Sequence, residues 1–161
     1  MSEEELRKDV FAWYGSVAYA AQCFEVELSI LLLARERLER PNSTPEELDR
    51  LDEILSRKTL GQLMNEVKKR FWIHPEFEAL LGKYLQKRNY IAHRFFFENA
   101  RKLLSAEGCK QLIEELQDLY ATFKEADQIS QLMSKNVRVA SGVDEVALQE
   151  MVNREIKSGG V

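Results

Sequence analysis

The stretch VFAWYGSVAYAAQCFEVELSILLLARERLER, Val10–Arg40, decides the fold. Val10, Tyr14, Val17, Ala21, Phe24, Leu28 and Leu31 recur at alternating spacings of four and three, the repeat of one face of an α-helix. Ser2 with Glu5 three residues later supplies a capping-box start. One helix is therefore expected from residue 3 to about Arg40, about 50 Å long at roughly 1.5 Å per residue. Phe11, Trp13, Ala20 and Leu32 widen its stripe, so that it packs on more than one neighbour. Gly15 is mildly unfavourable inside a helix and reads as the mark of a close helix crossing. Glu25 and Glu27 interrupt the apolar run. They read as exposed positions at the stripe's edge, the other reading being that one of them neutralises Arg88 further along the chain.

Downstream, Pro41-Asn42-Ser43-Thr44-Pro45 ends this helix. Thr44, Pro45 and Glu47 are then the N-cap, first-turn proline and third-position acid of a short second helix carrying Leu48, Leu51, Ile54 and Leu55. Thr59 and Gln62 cap a third, with Leu60, Leu63, Met64, Val67 and Phe71. Pro75 pushes His74 out of helical geometry and opens a fourth helix, expected to run to about Phe97, with His74 itself a cap or turn residue. Asn99–Leu104 reads as a loop. Ser105 caps a long fifth helix through Cys109, Leu112, Leu116, Leu119, Phe123 and Ala126 to about Ser134. Asn136–Gly142 reads as a linker, and Val143–Lys157 as a weaker helix whose Val146, Met151, Val152 and Ile156 must dock on the bundle or on a partner.

The expected fold is all-α: an antiparallel bundle of four to five core helices in residues 1–135, followed by a linker and C-terminal helix in 136–161. Composition points the same way, with few glycines and prolines, no alternating Val/Ile/Thr runs, and 45% apolar against 31% charged residues in a chain of one-domain length. Met1–Asp9 is acidic and the longest strictly apolar run, Ile30–Ala34, is short, so neither a signal peptide nor a membrane span is expected, and the location expected is cytoplasmic. Cys23 and Cys109 fall at apolar helix positions without CxxC spacing and read as small core residues.

One stretch does not fit a simple core, Arg88-Asn89-Tyr90-Ile91-Ala92-His93-Arg94-Phe95-Phe96-Phe97. Phe77, Leu81, Tyr84, Ile91 and Phe95 form the buried stripe of the fourth helix, and Arg88 occupies the gap in it. A guanidinium there has to be paired, partly wet or at a seam between subunits. Asn89 and His93 lie four residues apart on one face, whereas Arg88 and His93 are about 140° apart around the axis. Joint action of Arg88 and His93 needs the arginine stem to wrap around the helix, the helix to distort, or a second copy to contribute across a two-fold axis, the last being the favoured reading. The net charge of −4 is uneven: six basic residues (Lys83, Lys87, Arg88, Arg94, Arg101, Lys102) against Glu98 give +5 between 83 and 102, leaving −9 elsewhere. Such a run suits a solvated helix face and equally a phosphate backbone, extended by Lys68, Lys69 and Arg70 if their helix lies alongside. Phe95–Phe97 read as core residues rather than base-stacking platforms.

Arg88-Asn89-x3-His93, with helices on both sides, resembles the R-x4-6-H signature of the HEPN superfamily, and the helix layout over residues 3 to about 134 is similar. The resemblance implies a metal-independent endoribonuclease that works as a homodimer, needs no cofactor, and acts as a toxin or phage-defence effector, in some cases restrained by an antitoxin or other regulatory protein. It implies that His93 is general base or acid at the ribose 2′-hydroxyl and leaving oxygen, that Arg88 holds the scissile phosphate, and that Asn89 orients one of them. Lys83, Lys87, Arg94, Arg101 and Lys102 are the expected RNA-binding residues. This chemistry is self-consistent, because imidazole titrates near neutrality, guanidinium grips phosphate bidentately and RNA brings its own nucleophile. The chain departs from the toxins regulated by tyrosine adenylylation in having Phe95 where they carry the tyrosine. Many members are inactive, so the same residues also suit a catalytically inactive RNA- or nucleotide-binding module, or a helical interaction protein in which Arg88 pairs with a glutamate of the first helix and Asn89 and His93 hydrogen-bond within the bundle.

Overall fold

The computed structural model describes residues 2–159. Its elements are α1 (Glu3–Glu39), α2 (Pro45–Ser56), α3 (Leu60–Arg70), α4 (Pro75–His93), α5 (Phe95–Asn99), a 3-10 turn (Lys102–Leu104), α6 (Ala106–Ala140) and α7 (Glu145–Lys157), with no strand among the described residues. The all-α bundle is as expected, and its helix starts follow the local chemistry of the sequence. Ser2–Glu5, Thr44–Glu47 and Thr59–Gln62 each form a reciprocal capping box. His74 caps α4, its Nδ1 accepting from the backbone N–H of Glu76 at 3.3 Å.

From α1 to α4 the helices alternate in direction, and α6 runs antiparallel to α4, so that the two longest, α1 and α6, lie parallel. Arg7 of α1 donates to the Leu103 carbonyl just before α6, Trp13 meets Tyr120 edge to face, and Glu27 lies by Ser134 and Arg138. The helices between them form the return path. Tyr14 reaches Ile91, Glu25 reaches Arg88 and Phe24 meets Tyr84, so α4 descends against α1 and delivers the chain back to the N-terminal end of the spine.

The core divides into two apolar clusters. One joins Leu6, Val10 and Val17 to Ile91, Phe95, Leu112 and Phe123, and the other joins Phe24, Leu28 and Leu31 to Leu60, Met64, Leu81 and Tyr84. By composition alone α1 contains an 18-residue window apolar enough to cross a membrane, with mean hydropathy 1.6; half of it is buried in the bundle. The short run Ile30–Ala34 understates how apolar this helix is.

Three boundaries differ from expectation. α4 stops at His93 instead of Phe97, because Arg94 leaves helical geometry (φ −128°, ψ −22°) and swings Phe95 and Phe96 onto Tyr14, with ring centroids 5.6 and 4.6 Å apart. α6 runs past Ser134 to Ala140, because Met133 and Val137 still pack on the second cluster. The stretch read as a linker from Asn136 thus shrinks to a turn, closed by Gly142 at φ +82°. α7 begins at Glu145 and has no buried residue; Arg138 grips Glu145 through Nε at 2.7 Å and Nη2 at 3.1 Å.

Gly108, in the first turn of α6, marks the tightest joint, since a side chain there would run into the backbone of Lys102, its carbonyl oxygen first. Gly108→Ala is expected to destabilise the fold by about 1–3 kcal/mol, the usual cost of forced overpacking, as read by chemical denaturation. Glu27 faces α6 half-buried, with Oε1 lacking a hydrogen bond. Burial pushes its carboxyl above the ordinary range, helped by the Asp127 charge and opposed by Ser134 and Arg138. A raised carboxyl favours the folded state fully below the unfolded value and loses that contribution as pH rises through the folded one. Glu27→Gln should therefore raise Tm at pH 7, with the gain shrinking as pH falls through the carboxylate range.

Candidate functional site

Arg88 sits at the waist between the two apolar clusters, where a fully apolar side chain would join them. It is half-buried and its Nε donates to Glu25 Oε1 at 2.6 Å, with 26% and 21% of the two side chains exposed. Glu25 is therefore the partner of Arg88, which corrects its reading as an exposed edge residue. The spacing of either helix could not show this, because the pair joins residues 63 apart in sequence. No further hydrogen bond is made by the guanidinium among the described residues, so Nη1 and Nη2 remain free of protein acceptors.

Asn89 and His93 are both exposed on the outer face of α4, one turn apart, and neither makes a side-chain hydrogen bond among the described residues. His93 is the last residue of α4, freed by the break at Arg94. The structure thus brings Asn89 and His93 together and leaves Arg88 on a different side of the same helix, beside α1. Within one chain the three do not converge on one point.

The basic run is partly spent on protein contacts. Lys87 Nζ donates to Thr122 Oγ1 at 2.9 Å, tying α4 to α6. Arg94 lies 3.4 Å from Glu98 and over the Tyr90 ring. Lys83, Arg101 and Lys102 are exposed and free of ion pairs among the described residues. On α3, Lys68 pairs with Glu78 at 2.8 Å, Lys69 with Glu66 at 3.2 Å and Arg70 with Glu36 at 2.7 Å, so this neighbour adds no uncompensated charge to the patch. Of the three phenylalanines, Phe95 is buried as expected at 1% exposure, but Phe97 projects into solvent at 87%. It flanks the break between Arg94 and Arg101, where its ring is open to stacking.

A polar network beneath the motif was not visible in the sequence. The Tyr90 hydroxyl donates to Glu115 Oε1 at 2.6 Å and accepts from Asn99 Nδ2 at 2.7 Å, while Asn99 also donates to the Phe95 carbonyl at 2.9 Å. Burial, then the Glu115 hydrogen bond, hold the phenol neutral, its pKa pushed up to about 12. Asn99, only 5% exposed, thereby ties α5 to Tyr90 of α4, whose hydroxyl carries the link on to Glu115 of α6, at the corner next to His93. An asparagine two residues after the aromatic run is the sequence signal for it.

Compared with protein-family models, curated proteins and solved structures, the chain finds no match.

The ion pair is expected to be worth most at its half-buried position. Glu25→Ala should cost about 1–3 kcal/mol of stability by stranding the guanidinium. Arg88→Ala combined with Glu25→Ala should cost less than the sum of the single changes, and a double-mutant cycle in urea measures the difference.

Proposed function

We propose that the chain is a metal-independent endoribonuclease of the HEPN type, acting on RNA as a homodimer in a toxin or phage-defence setting. One observation carries this reading: Glu25 holds Arg88 by Nε alone, which orients the guanidinium and leaves its Nη edge for a phosphate, while Asn89 and His93 stand exposed one turn apart on the same helix. A positioned guanidinium and an exposed imidazole are the two groups that cleavage by the 2′-hydroxyl needs. His93 takes the proton of the attacking hydroxyl or gives one to the leaving oxygen, and Arg88 stabilises the charge that builds on the phosphorane. Because the two point apart on one copy, a cleft that uses both draws Arg88 from one copy and His93 from its mate. Lys83, Arg101 and Lys102 then track the backbone and Phe97 offers a stacking face.

The second reading, a catalytically inactive RNA-binding or interaction module, is favoured by the charge of Glu25, which cancels that of Arg88 and makes the pair as serviceable to packing as to phosphate.

Cleavage of single-stranded RNA is expected to survive chelator and to leave 2′,3′-cyclic phosphate ends. His93→Ala should abolish turnover with RNA affinity nearly intact, whereas Arg88→Ala should weaken both. A broad RNA panel left uncut, or cutting unchanged in His93→Ala, overturns the nuclease and leaves the binding module. Affinity should fall steeply with salt, and Lys83→Ala with Lys102→Ala should flatten that slope by about two charges.

A further inference from the structure

Beside the Glu25–Arg88 pair, between α1 and the end of α2, lies a cleft of about 400 Å³ that the motif does not use. Small-molecule sites take roughly 300–1000 Å³, an apolar lining with a few fixed polar groups. The floor here is apolar: Leu55 of α2 and Leu63 of α3 are 3% and 2% exposed, and Val26 of α1 continues it into the wall. Three charged side chains stand around it. Glu25 faces it from α1, Asp52 from α2, and Lys58 from the turn before α3. Glu25 Oε1 holds Arg88, so this carboxylate joins the cleft to the guanidinium. Asp52 is exposed and makes no ion pair or side-chain hydrogen bond among the described residues. Lys58 is loosely held, its Nζ 3.7 Å from Glu66 Oε1.

We propose that this cleft binds the base of a guanine nucleotide, with the phosphate of that nucleotide on the free Nη edge of Arg88. The inference rests on the reading of Arg88 as a phosphate-holding residue and adds the base that comes with the phosphate. A flat ring system suits the leucine floor, and the charges above it select the ring. Guanine alone among the four bases carries two adjacent donors, N1–H and the N2 amino group, on its pairing edge, and these match the two oxygens of a carboxylate such as Asp52. Its O6 carbonyl, next along that edge, accepts from an ammonium such as Lys58. Adenine and cytosine set a ring-nitrogen lone pair beside their amino group, and uracil sets a carbonyl on each side of its N–H. Each of these would turn a lone pair on the carboxylate and leave it short of a donor, the mismatch that a hydrogen-bonding site rejects most strongly. A metal ion suits the cleft less well. Lys58 stands with the two carboxylates, and no group of three potential metal ligands forms among the described residues.

Isothermal titration of the purified full chain with the 3′- and 5′-monophosphates of guanosine and adenosine tests the pocket without any cleavage. One of the guanosine nucleotides should bind roughly tenfold or more tightly than its adenosine counterpart, the usual discrimination of a bidentate contact. Asp52→Asn keeps the side-chain volume at an exposed helix position and turns one acceptor into a donor. It should erase the guanine preference while leaving adenosine nucleotide binding and the helical circular dichroism unchanged. The same comparison in oligouridine carrying a single guanosine or a single adenosine separates two sources of the base. Selectivity as strong for the free monophosphates as for the oligomers identifies a free nucleotide as the ligand, and stronger selectivity in the oligomers identifies RNA; both support the pocket. No guanine preference in either form, or a preference that Asp52→Asn leaves intact, overturns it. Oligomers bound selectively yet left uncut remove the nuclease and keep the pocket, whereas oligomers cut without selective binding or guanine preference remove the pocket and keep the nuclease.

Discussion

A guanidinium at a core position of α4 has to be neutralised for the bundle to close, and Glu25 of α1 does this at the one level where the two apolar clusters meet. The pair fixes the register of α4 on α1. Phe24 and Tyr84 meet edge to face on one side of it, and Tyr14 reaches the Ile91 carbonyl on the other. A slip of α4 by one turn would bury Arg88 without its carboxylate or set the stripe Leu81, Tyr84, Ile91 against the wrong holes. Burial of an ion pair seldom adds much net stability, but a wrong register would leave a charge stranded, and that penalty is what makes the pairing specific.

The parallel arrangement of α1 and α6 follows from the same geometry. Two parallel helices must be joined by a connection that travels the length of the bundle, and α4 makes that return while α2 and α3 close the far end. The return ends at a crowded corner, where Phe95 and Phe96 turn in on Tyr14 and Asn99 binds Tyr90. The break at Arg94 is the backbone's adjustment to this packing, and its by-product is an exposed histidine at the end of a helix. The exposure of His93 is thus set by the residues that close the core.

How much of this was legible depends on the range of the interaction. Caps are local, and the starts of α1, α2, α3, α4 and α6 could be read from residues within one turn of each other. The stripes of α1, α4 and α6 were legible for the same reason. The end of α4 was not, because its cause is aromatic contact with α1, far away in sequence. The end of α6 is not legible either, because Asn136 and the residues after it look like linker, whereas Val137 finds a place on the second cluster. At the candidate site the oddity of Arg88 was plain from the stripe. Its partner was not, since a glutamate inside an apolar run has the same local appearance whether it faces solvent or a cation. Three consecutive phenylalanines cannot all face one way on a helix, and only the break at Arg94 decides that Phe97 is the one left out.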